Sequence, residues 1–76
     1  MKVYNTKEFK KNNYFILYDL KDNIVCYFDN FYELSTHINY NAYDLARRFN
    51  CEGDLIKIII GQTMYKLYTT DILEEF

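Results

Sequence analysis

Residues 31–49 read FYELSTHINYNAYDLARRF, and the way this stretch folds decides the architecture of the chain. Asn30 precedes it as an N-cap. Glu33 follows three residues on and completes a capping-box pattern with Asn in the Ser/Thr place. Phe31, Leu34 and Ile38 recur at i, i+3 and i+7, which is one face of a helix. Asn39, Tyr40 and Asn41 interrupt it. Asn41 then caps a second helix, with Asp44 near its positive N-terminus and Ala42, Leu45, Ala46 and Phe49 as the apolar stripe. Residues 50–53, NCEG, end that helix, with Gly53 suited to a left-handed C-cap. Two short helices that join at a tight turn and end on Arg47 and Arg48 have two readings. They are a helix-turn-helix that grips DNA, or a helical hairpin that helps build a core.

On the N-terminal side, residues 14–18 read YFILY. The run has high β propensity and is too short for a helix. Residues 19–23, DLKDN, form a turn cluster whose Asp and Asn side chains satisfy turn backbone. Residues 24–28, IVCYF, return as a second strand, so the pair reads as a hairpin. Both of its faces are apolar, which fits a sheet covered on both sides or one with tyrosines on the wetter side. On the C-terminal side, residues 55–60, LIKIII, and residues 63–68, TMYKLY, read as strands. Gly61-Gln62 between them fits a type II′ turn with Gly first. The expected fold is α+β, two antiparallel β-hairpins (ββααββ) flanking a central helical hairpin. It is a single domain over 1–76. Residues 1–13 form a loosely ordered arm anchored by Val3, Tyr4 and Phe9, with Thr6 able to cap a turn over residues 7–11. Residues 14–68 form the folded core, and residues 69–76 an acidic tail.

Composition suits a small folded domain. A chain of 76 residues buries only roughly 60% of its unfolded surface. Half of its residues are hydrophobic, and nine Tyr and six Phe supply large rings to compensate. The net charge is −2, with Lys2, Lys7, Lys10 and Lys11 near the start and Glu52, Asp54, Asp71, Glu74 and Glu75 toward the end. The two cysteines, Cys26 and Cys51, make no disulfide framework and read as free thiols in a reducing cytoplasm. The N-terminus is polar and lacks the apolar segment of a signal peptide. No apolar run nears the ~20 residues of a membrane span. The expected setting is cytoplasmic, with no membrane.

Catalytic constellations are missing. His37 is the sole histidine, which leaves no His-rich metal site, and nothing in the sequence brings it to Cys26 or Cys51. It lies off the Phe31–Leu34–Ile38 face and is expected to be exposed. Gly53 and Gly61 alone cannot form a phosphate-cradling loop. Glu74 and Glu75 read as solvated charges in the tail rather than an acid–base pair. The chain is expected to be non-enzymatic, with no cofactor.

The run YFILYDLKDNIVCYFDNFYELSTHINY, followed by a second short helix and a strand ending YKLY, resembles small proteins from phages and mobile elements of low-GC Gram-positive bacteria. Those carry an N-terminal hairpin of the YALYD-(K/D)-DN kind, followed by a cluster like FDNFYEL that opens a helix-turn-helix-like unit. The resemblance covers residues 14–68. Small phage proteins of this size include anti-defence proteins, anti-CRISPR proteins among them; that likeness is one of size and setting rather than of matched residues. It implies a phage or mobile-element protein acting inside a bacterial host.

The DNA reading rests on Tyr43, Asp44, Arg47 and Arg48 facing away from the apolar stripe, where two arginines reach guanine edges or phosphates. Against it, Asp44 lies three and four residues before the arginines, as intrahelical ion pairs do, and supporting positive charge is thin. The favoured expectation is a module that binds and inhibits a host protein, such as a nucleic-acid-binding defence effector. The runner-up is a DNA-binding helix-turn-helix-like transcriptional regulator. Tyr and Arg are enriched at interface hot spots, so Tyr32, Tyr40, Tyr43, Arg47, Arg48 and Tyr65 are the partner-binding candidates. Homodimerisation through an unpaired YFILY or TMYKLY edge is a further expectation.

Overall fold

The computed structural model describes residues 9–10 and 13–71. The elements run β1 (Asn13–Tyr18), β2 (Ile24–Phe28), α1 (Phe31–Ser35), α2 (Ala42–Glu52), β3 (Leu55–Ile60) and β4 (Thr63–Asp71). The expectations for Val3, Tyr4, Thr6, Glu74 and Glu75 lie outside the described residues.

Local chemistry explains each junction. In the β1–β2 turn, Asp19 Oδ1 accepts from the amides of Lys21 at 2.8 Å and Asn23 at 2.9 Å. Asp22 takes the left-handed φ of 67°, which Asp tolerates better than most residues. The β3–β4 turn has a φ of 66° at Gly61 and no positive φ at Gln62, which is the pattern of a II′ turn. Asn30 Oδ1 accepts from the Glu33 amide at 3.0 Å and opens α1. Asn41 Oδ1 accepts from the Asp44 amide at 2.8 Å and opens α2. The first helix is shorter than the apolar spacing suggests. Ser35 Oγ and Thr36 Oγ1 donate back to the carbonyls of Tyr32 and Glu33, both at 2.8 Å. Such bonds compete with the helical ladder, and α1 stops after five residues.

The expectation of two hairpins flanking a central helical hairpin is corrected by the strand pairing. All four strands belong to one antiparallel sheet in the order β2-β1-β4-β3. Residues 66–71 of β4 pair with β1, and residues 63–68 pair with β3. Thr69, Thr70 and Asp71, placed by the sequence reading in an acidic tail, extend β4 opposite residues 13–15. A nine-residue β4 thus bridges the two hairpins, and the connection from β2 to β3 must travel from one sheet edge to the other. The two helices make that crossing over one face.

That face is the core. Phe15 and Leu17 of β1, Phe28 of β2, Ile56 and Ile58 of β3 and Leu67 of β4 pack with Phe31, Leu34, Ile38, Leu45, Ala46 and Phe49. Phe9 joins them at 1% exposure, so part of the expected arm is core. Its ring stands edge-on to Phe15 at 5.4 Å and lies 5.9 Å from Phe49. Burying each such ring contributes roughly 1.5–3 kcal/mol.

The pairing also corrects the expected dimer edges. YFILY and TMYKLY belong to β1 and β4, both interior strands with a neighbour on each side. The edges are β2, IVCYF, and β3, LIKIII.

Candidate functional site

The residues singled out in the sequence divide among several places. Tyr43 is 65% exposed and Arg47 follows it by one turn on the outer side of α2. Arg47 Nη2 stands 3.9 Å from Asp44 Oδ1. Arg48 is clamped by Glu52: its Nε donates to Oε2 at 3.0 Å and its Nη2 to Oε1 at 3.2 Å. Glu52 holds the Arg48 guanidinium above its ordinary value, with the Tyr40 hydroxyl adding a smaller push. Arg48 in turn holds the Glu52 carboxyl below its ordinary range. Tyr40 and Tyr65 are half-buried and pack against the core. Tyr65 sits opposite Ile58 on the helix-covered side of the sheet. Tyr32 is exposed on α1, apart from the α2 group.

The helix-turn-helix geometry is correspondingly weak. One helix has five residues, and both arginines of the other face carboxylates on their own helix. The expectation that Asp44 pairs with both is refined: it faces Arg47, and Glu52 takes Arg48.

A surface that the sequence reading did not single out lies on the far side of the sheet. Strand alternation turns Tyr14, Ile16 and Tyr18 of β1 away from the core. Register then lines up Tyr27, Ile16, Tyr68 and Leu55 as one row across all four strands. The next row is Ile24, Tyr18, Lys66 and Lys57, and Ile59 stands opposite Met64. Tyr27 is 61% exposed, Ile59 53% and Leu55 48%. Lys66 donates to Asp22 Oδ1 at 2.8 Å and so ties β4 to the β1–β2 turn. The signal in the sequence was Leu55 and Ile59 of LIKIII and Met64 and Tyr68 of TMYKLY, which share their alternation with Lys57 and Lys66. Without the register it could not be assigned to one uncovered face.

A groove of about 520 Å³ runs along the edge strand β2 between Tyr27, Phe28 and the residues Tyr32, Glu33 and His37. The His37 ring lies 5.2 Å from that of Phe28 and His37 is exposed. Cys26 lines the same groove. Its thiol contacts the Tyr27 carbonyl at 3.5 Å and has no hydrogen bond to His37 among the described residues. Both cysteines are free and exposed. Among the described residues no three His, Cys, Asp or Glu side chains are grouped to hold a metal. None of the helices described is long and apolar enough to cross a membrane. Comparison of the chain with protein-family models, with curated proteins and with solved structures finds no match.

Proposed function

We propose that this chain is a non-catalytic binding module that docks on a protein and modulates it. The observation that supports this is the uncovered sheet face, where Tyr27, Leu55, Ile59 and Met64 leave large apolar side chains in solvent. Tyr27, Ile16, Tyr68 and Leu55 run unbroken across the sheet, and Lys57 and Lys66 separate them from Ile59 and Met64. Scattered apolar residues are ordinary on a surface, whereas such a continuous row marks an interaction site. Acting on a host defence protein of a bacterium, as an inhibitor does, is the role that the phage resemblance implies. The alternative of a DNA-binding regulator is disfavoured because Arg47 and Arg48 both face carboxylates on α2 and the chain carries a net charge of −2. Duplex binding draws much of its strength from phosphate contacts by unpaired cations.

Capture from a bacterial lysate on the immobilised chain, with and without nuclease, tests the proposal. A protein should remain bound after nuclease treatment and be lost with Ile59→Asp, a substitution on the exposed face. Recovery of nucleic acid alone, or of a protein that Ile59→Asp retains, would count against it.

A further inference from the structure

The edge strand β2 differs from every other strand of the sheet. Four of its five residues are exposed and only Phe28 is buried. It pairs with β1 on one side and has no strand on the other, so one row of its backbone groups is open to pairing. The groove is lined by β2 and the α1 region, with no residue of β1. Cys26, Tyr27 and Phe28 form one wall, and Tyr32, Glu33 and His37 of the α1 region form the other. A second hollow of about 480 Å³ adjoins the end of the strand, lined by Tyr14, Tyr27, Phe28 and Asp29. An edge strand beside a helix-walled groove is the arrangement in which an added strand gains backbone hydrogen bonds from the edge and side-chain contacts from the wall.

The charge of the groove narrows the occupant. No lysine or arginine lines either hollow, while Glu33 lines the first and Asp29 the second. Glu33 Oε1 accepts from the Asp29 amide at 3.2 Å, and its other oxygen has no partner among the described residues. Tyr32 is exposed and lines the groove with that carboxylate, and a cation held by a carboxylate beside an aromatic ring is well held. We infer that β2 and the α1 wall bind an extended segment of a partner protein as a fifth strand, with a Lys or Arg of that segment seated at Glu33. This rests on the protein-binding reading above and adds a second surface to the uncovered sheet face. Tyr27 belongs both to this groove and to the uncovered face, so one partner can span the two.

The probe is a displayed library of random peptides about seven residues long, enough to span a five-residue strand with a margin at each end, selected on the full-length chain. Enriched peptides should carry a Lys or Arg and should slow amide exchange at Cys26, Tyr27 and Phe28. Replacing that basic residue by Glu in the peptide should weaken binding by about tenfold, the loss of one charge-assisted hydrogen bond. Tyr32→Ala and Glu33→Lys should weaken it similarly, and Ile59→Asp should not. No enrichment, enrichment without a basic residue, or protection elsewhere than β2 would overturn the inference. So would sedimentation showing a dimer that the peptides disperse, since the occupant would then be a second copy. Failure here with a protein still captured through the Ile59 face would leave the binding reading standing. Failure of both would remove it.

Discussion

Asn13 and Thr69 are joined by a buried hydrogen bond: Asn13 Nδ2 donates to Thr69 Oγ1 at 2.9 Å, and Thr69 Oγ1 in turn donates to the Tyr14 carbonyl at 3.1 Å. They are the buried polar side chains of the described residues, at 2% and 0% exposure. The bond crosses from β1 to β4, the pairing that merges two hairpins into one sheet. Thr69→Val keeps the shape and removes the acceptor, leaving the Asn13 amide buried without it. A cost of about 1–3 kcal/mol is expected, read as a lower urea midpoint with an unchanged slope. A midpoint unchanged within error would show that the bond contributes nothing to the sheet.

Phe49 sits at the centre of the aromatic cluster, 2% exposed, with ring centroids 5.9 Å from Phe9 and 6.3 Å from Phe15. Phe49→Ala should cost about 3–5 kcal/mol. In a domain of this size each kcal/mol moves the midpoint by about 4–8 °C, so thermal unfolding should shift far down or disappear. An unaltered melting temperature would contradict the packing of α2 on the sheet.

The charges of α2 predict weak contact with duplex DNA. The unsubstituted chain should give no sequence-selective shift at near-physiological salt. Arg47→Ala with Arg48→Ala should change nothing, because both cations already face carboxylates. A sub-micromolar, sequence-selective complex that the double variant loses would put the DNA-binding regulator first. Its salt dependence would then report the phosphate contacts.

The Arg48–Glu52 clamp has a signature in acid. Arg48 donates two hydrogen bonds to the carboxylate and holds it below its ordinary value of 4.5. Because the folded value is depressed, the stabilisation is present above 4.5 and is lost as pH falls through the folded value. Carboxyl NMR titration should find Glu52 below 4.5, and Arg48→Ala should return it toward that value. A midpoint at or above 4.5 in the unsubstituted chain would mean that the clamp does not form in solution.

Much of the chain is legible locally. Asn30, Asn41, Asp19 and Gly61 each act within four residues of themselves, so the turns and helix starts follow from sequence. Leu34, Ile38, Leu45 and Phe49, read from helical spacing, are all buried. The first helix was read too long because the back-bonding of Ser35 and Thr36 is set by their hydroxyl rotamers, which spacing does not report.

What sequence alone determined here is the set of short-range elements and their apolar faces, because caps, turns and periodicity depend on neighbours a few residues apart. The tertiary structure decided which strands meet. β1 and β4 pair across separations from Tyr18↔Lys66 to Asn13↔Asp71, and the Asn13–Thr69 hydrogen bond spans 56 residues. Strands with apolar residues on both faces carry no polarity that distinguishes an interior position from an edge. Once β4 enters between β1 and β3, the edges become β2 and β3, the helices are confined to one face, and the row Tyr27–Ile16–Tyr68–Leu55 is left open on the other. The candidate surfaces follow from that pairing, because a side chain's face is set by its strand but its neighbours are set by register.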